Sequence, residues 1–97
     1  MATAGNGISL TTSVTTLFDA TSGGDGEPCT TFMVKNRASS SGNALVNVQG
    51  LHNPGEYVGI APGDSPIYFR LGANAILKVT AKSDSTATID HGVVARI

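Results

Sequence analysis

The sequence predicts an all-β fold: a single small antiparallel β-sandwich of about seven strands, Ig-like or jelly-roll-like, with an extended N-terminal arm. Three observations carry this. Short runs such as ALVNVQG (44–50), EYVGIAPG (56–63), SPIYFRLG (65–72) and AILKVTAK (75–82) alternate apolar and polar residues with a period of two. That is the pattern of strands with one buried and one wet face. Each run closes on Gly, Pro, Asn or Asp, which punctuate the chain at intervals of roughly 8–12 residues. No stretch holds a convincing 3.6-residue period; the best is Thr11 to Phe18, whose threonines disfavour a helix. The organisation is an arm over 1–7 and one sandwich domain over 8–97.

The elements follow in order. Met1, Ala2, Thr3, Ala4, Gly5, Asn6 and Gly7 are small and mostly polar, so the chain's own core offers them no purchase. Ile8, Leu10, Val14 and Leu17-Phe18 make a first Thr-rich strand, interrupted near Thr12-Ser13. Ala20 to Pro28 is a loop by its Gly and Pro content. In CTTFMVKN (29–36), Phe32 and Val34 fall on one face, and Cys29, Thr31, Met33 and Lys35 on the other. Residues 37–43 form a polar hairpin loop. Ala44, Val46 and Val48 then point to the core. His52-Asn53-Pro54-Gly55 is a turn, with Asn53 held extended by the proline and Gly55 free to take positive φ.

Tyr57 to Ile60 is a short strand, ended by Ala61-Pro62-Gly63-Asp64. Ile67, Phe69 and Leu71 face inward, Tyr68 and Arg70 outward. Gly72-Ala73-Asn74 turns the chain into Leu77, Val79 and Ala81, and Ser83-Asp84-Ser85 makes the last tight loop. Ala87 and Ile89 face in, and His91-Gly92 breaks the alternation as a bulge.

Composition narrows the function classes. Ninety-seven residues suit one domain that folds without disulfides or metals. Charged residues make up 13% of the chain, about half the usual share. Eleven Thr and nine Ser take their place. Such a surface is easily dehydrated and suits a protein packed against another. The six basic residues are scattered singly and the net charge is -1, so no stripe tracks a phosphate backbone and nucleic acid is not an expected partner. No run approaches a membrane span, and MATAGNGISLTT lacks the charged start and apolar run of a secretion signal. The expectation is a chain kept where it is synthesised.

No constellation points to catalysis, and the protein is expected not to be an enzyme. Cys29 is the single cysteine; flanked by Thr30, Thr31 and Phe32, it reads as a small buried hydrophobe. His52, Glu56, Asp90 and His91 could ligate a metal, but they share no ligand spacing, so no metal and no cofactor are expected. Asp25-Gly26-Glu27 lacks the ligand alternation of a calcium loop. Tyr57 and Tyr68 are the large residues expected at the surface. Without a Trp they make a poor sugar- or base-stacking platform; they either mark a protein interface or are ordinary strand residues with a hydroxyl at the rim.

The block Val46-x-Val48 … Glu56-Tyr57-Val58-x-Ile60-Ala61-Pro62-Gly63-Asp64-Ser65 … Tyr68-Phe69-Arg70 … Leu77-x-Val79-x-Ala81-Lys82 … Thr86-Ala87-Thr88-Ile89 … Gly92-Val93-Val94-Ala95 resembles small tailed-phage virion proteins, in particular capsid decoration or cement proteins. The resemblance covers residues 44–95. It implies a structural virion protein made in the host cytoplasm, bound to the outer capsid surface and stabilising it. The implied partners are the major capsid protein and further copies of the chain, a trimer foremost. Such families bind through shape and varied contacts, so the resemblance assigns no site residue. The expected interface is the arm, Met1 to Gly7, with Tyr57 and Tyr68. The arm is expected to be ordered only against a neighbouring subunit or the capsid, as an added strand. The alternative is a small non-catalytic carbohydrate- or receptor-binding module of a fibre or host protein, recognising through loops 19–28, 37–43 and 52–56.

Overall fold

A computed structural model describes residues 4–20, 28–71 and 75–96. Eight strands follow one another: β1 (Ala4–Leu10), β2 (Thr15–Asp19), β3 (Cys29–Asn36), β4 (Ala44–Val48), β5 (Val58–Ile60), β6 (Ile67–Arg70), β7 (Lys78–Ser83) and β8 (Ala87–Arg96). They form two four-stranded sheets, β1-β8-β3-β6 and β2-β7-β4-β5, and every pairing is antiparallel. The expected Gly72-Ala73-Asn74 turn and most of the 20–28 loop lie outside the described residues.

The strand order has a simple origin. β1 pairs with β8, β2 with β7, β3 with β6 and β4 with β5. The chain is thus one long hairpin with its tip between β4 and β5. Rolling it up brings β8 against β3 and β7 against β4. This is the double Greek key of a jelly roll. The eighth strand arises where the sequence suggested one interrupted strand over 8–18. Thr11 to Val14 are exposed, and the chain there crosses from one sheet to the other.

The inner faces meet through Phe18 of β2 and Phe32 of β3, with ring centroids 5.7 Å apart. Val34, Ala44, Val46, Val48, Val79, Ala81 and Ile89 complete a fully buried layer around them. Phe69 is also buried, and Ile67 and Leu71 are partly buried against the core at its margin.

Three expectations change where the chain departs from plain alternation. Cys29 is buried with Phe32 and Val34, not opposite them. The β3–β8 register shifts on either side of Thr31, which resets the alternation. The same irregularity puts the bulge in β8 at Val94, between Val93 and Ala95, and not at His91-Gly92. His91 therefore continues the inward row and stacks on Phe32, with centroids 5.6 Å apart. Leu77 is exposed, and its neighbour Ile76 takes the core position. Ile76 pairs with Cys29 in an isolated bridge, closing the corner between the two sheets.

The N-terminal arm needs the largest correction. Ala4 to Gly7 form the first half of β1 and pair with the chain's own β8, Ala4 opposite Gly92 and Gly5 opposite His91. The arm boundary at residue 7 therefore falls inside a strand, and Ala4 to Gly7 are paired within their own chain. Met1, Ala2 and Thr3 lie outside the described residues. The missing apolar periodicity is compensated by a specific device. β1 bulges between Gly5 and Ile8, and Gly7 there has φ of 68°, which a side chain would strain. Its amide donates to Asp90 Oδ1 at 2.8 Å.

Asp90 in turn accepts two hydrogen bonds from Arg37, Nε to Oδ2 at 3.0 Å and Nη2 to Oδ1 at 2.8 Å. This fork joins the β3–β4 loop to β8 and, through Gly7, to β1. Arg37, and to a smaller degree the Gly7 amide, hold the Asp90 carboxyl below its ordinary value of 3.8, against an opposing push from partial burial. Because the folded value is depressed, the stabilisation is present above the ordinary carboxylate range and is lost as pH falls through the folded value. Asp90→Asn should therefore lower the melting temperature by a few degrees at pH 7 and by progressively less as the pH falls through the folded value. A loss that stays the same as the pH is lowered would show that the carboxylate charge contributes nothing.

Candidate functional site

The outer faces of the two sheets differ in chemistry. On β1-β8-β3-β6, Tyr68 of β6 lies opposite Met33 of β3, Met33 opposite Gly92 of β8, and Gly92 opposite Ala4 of β1. This row crosses the whole sheet, about 14 Å at the usual strand spacing. Tyr68 is 55% exposed and Val94, nearby on β8, is 52% exposed. Met33 is half-buried between them. Gly92 brings no side chain, so the middle of the face stays low. The result is a nearly flat apolar strip with Arg70 and Lys35 on neighbouring outward positions.

The outer face of β2-β7-β4-β5 instead carries a polar hollow of about 260 Å³. Outward residues of β4 and β7 form its floor: Asn47 and, just past the strand end, Gln49 on one side, Lys78 and Thr80 on the other. The β4–β5 connection forms the rim with His52, Pro54, Gly55 and Tyr57.

Local hydrogen bonds make that rim stiff. His52 N donates to Val48 O at 2.9 Å, and Glu56 N to Asn53 O at 3.0 Å. The Glu56 carboxylate accepts from Asn53 N at 2.8 Å, closing the Asn-Pro-Gly turn on itself. Asn47 Nδ2 then donates to both Asn53 O, at 2.9 Å, and Glu56 O, at 2.7 Å. Its amide hydrogens are thereby used, and Oδ1 remains to accept. His52 Nδ1 accepts from Val48 N at 3.0 Å, which leaves the ring proton on Nε2 as a donor. The His52 ring also stands edge-on to Phe69, 6.2 Å between centroids. Lys82 Nζ sits 4.7 Å from the centre of the Tyr57 ring, and Lys78 Nζ sits 3.9 Å from Asp19.

The residues expected to form one interface are thus divided. Tyr68 and Ala4 share the row on one sheet, while Tyr57 is half-buried in the hollow beside the other sheet. Among the expected recognition loops, 37–43 is tied down along β8. Arg37 N donates to Thr88 O and Gly42 N to Thr86 O. Ser40 Oγ both donates to Thr88 O and accepts from Thr88 N. Within 19–28, residues 21–27 lie outside the described residues. The 52–56 loop does border the hollow. Asn47, Gln49, Lys78 and Thr80 were not singled out from the sequence. Their signal was the polar half of the alternation in β4 and β7, which every exposed strand face shares. Among the described residues, no three of His, Cys, Asp and Glu come together in a group able to hold a metal.

No family model, curated protein or solved structure matches this chain.

Proposed function

We propose that the protein is a structural component of a phage virion, a decoration or cement protein that docks on the outer surface of the capsid and stabilises it. The observation that supports this best is the flat strip of Tyr68, Met33 and Val94 across the outer face of β1-β8-β3-β6. A large planar residue exposed beside a low, side-chain-free centre is suited to docking against another flat protein surface. The charge-poor, hydroxyl-rich composition agrees, since few strongly hydrated groups have to be stripped of water on contact. By analogy of fold alone, jelly rolls build viral capsid and lectin domains. The reading includes the major capsid protein as partner and a symmetric oligomer, a trimer foremost, as the bound form, with the virion surface as the site of action.

Purified shells assembled with and without the protein provide the test. A ligand that binds only the folded shell raises its melting temperature by mass action. The bound shell is expected to melt higher, and Tyr68→Ser combined with Val94→Asp to abolish that gain while the isolated protein melts nearly as before. Shells that melt at one temperature regardless of the protein would refute cementing.

A further inference from the structure

We propose that the hollow on the outer face of β2-β7-β4-β5 is a binding site for a single neutral pyranose ring, such as a terminal sugar of a surface polysaccharide. The inference stands apart from the capsid reading, because the hollow and the Tyr68 strip lie on opposite sides of the sandwich.

Size sets the first limit. At about 260 Å³ the hollow is smaller than the roughly 300–1,000 Å³ of sites for drug-sized ligands, and open rather than enclosed, which suits one ring of a larger molecule. Its chemistry sets the second. The lining offers donors and acceptors in mixture: the Nε2 hydrogen of His52, the Oδ1 of Asn47, the Thr80 hydroxyl and both ends of the Gln49 amide. Each sugar hydroxyl donates and accepts at once, and an amide matches two neighbouring hydroxyls with one donor and one acceptor. A nucleotide or a multiply charged anion would want converging cations. Among the described residues Lys78 is the one ammonium in the lining, and it is already beside Asp19.

Pre-organisation is the third element. The Asn47 amide and the His52 ring are fixed by bonds to the backbone, so neither has to be ordered on binding. Tyr57 supplies an apolar wall for the C–H face of a pyranose. It is steadied by Lys82, which touches the ring without lining the hollow. Gln49 is exposed and makes no side-chain hydrogen bond among the described residues, so it is the group left to reach the ligand.

The test is a titration of isotope-labelled protein, followed by backbone amide NMR, with methyl glucoside, methyl galactoside and methyl N-acetylglucosaminide to tens of millimolar. At least one should give saturable shifts centred on Asn47, Gln49, His52, Tyr57 and Thr80, with a millimolar dissociation constant. Gln49→Ala should weaken that binding about tenfold, the loss of one to two hydrogen bonds. Tyr57→Ala should remove it, and Tyr68→Ser should leave it unchanged. Absence of saturable shifts with all three glycosides, or a Gln49→Ala variant that binds like the parent, overturns the proposal. The same shifts produced equally by sodium sulfate would also overturn it, by showing an anion site at Lys78.

Discussion

Replacing Phe32 by alanine is expected to cost about 3–5 kcal/mol, the range for emptying a large aromatic site in a packed core. Phe32 has no exposed surface and makes two ring contacts. Its ring lies 5.7 Å from Phe18 across the sandwich and 5.6 Å from His91 along its own sheet. Truncation therefore removes the joint between the sheets, and the strands, each bonded to its neighbours, have little freedom to close the gap. Domains of this size are stable by roughly 5–15 kcal/mol, so the variant should be marginal. At about 4–8 °C per kcal/mol, its melting temperature should fall by more than ~12 °C. Tyr68→Ala, an outward residue on β6, should change the isolated protein by no more than about 0.5 kcal/mol. A Phe32 variant that loses under ~1.5 kcal/mol in denaturant titration would mean that the sheets are not held at this point.

Asn36→Ala should cost about 2–5 kcal/mol, although the side chain carries no charge and touches no ligand. Asn36 ends β3 with no exposed surface. Its Nδ2 donates to Gly42 O at 3.0 Å and to Ile60 O at 2.8 Å, and its own carbonyl accepts from Gly63 N at 3.1 Å. The one amide thus fastens the β3–β4 loop and the end of β5 to a strand of the opposite sheet. Alanine leaves both carbonyls in a buried place without their donor, at about 1–3 kcal/mol for each. Asn36→Asp should be no better, since a carboxylate cannot donate. Denaturant midpoints decide between this and a bystander role, for which a loss below ~1 kcal/mol would speak.

What the sequence made legible was the part governed by local alternation. Val46 and Val48 against Asn47, Phe69 against Tyr68 and Arg70, and Ala87 and Ile89 against Thr88 all fall on the faces their spacing requires. The misplacements occur where the two-residue period is broken by backbone geometry that no single side chain encodes. Cys29 changed faces because of the added residue at Thr30, and His91 keeps the inward row of Ala87 and Ile89 because the bulge falls later, at Val94. Ile76 replaced Leu77 because a bridge to Cys29 turns the chain at the sheet corner. The arm misled for a related reason. A strand whose first half is Ala-Gly-Asn-Gly has no apolar signature, and its place is fixed by a bulge and by an aspartate far along the chain. The hollow was invisible because its floor comes from two strands adjacent only after the hairpin is rolled. Only its rim, His52 to Tyr57, is continuous in sequence.

The rolled hairpin also sets an order in time. β4 and β5 lie close along the chain and can meet early, whereas the bond from Gly7 to Asp90 closes a separation of 83 residues. Loop-closure entropy grows with separation, and contacts so distant add nothing until the intervening pairs have formed. Refolding should therefore be slow for a chain this short, in the millisecond-to-second range of β-sandwiches, with β1 docking last. Until then one edge of β8 stands open, with its hydrogen-bonding groups presented to any neighbouring chain. The step most exposed to concentration-dependent misassembly is thus the final one, when a second molecule's β1 competes for the same edge.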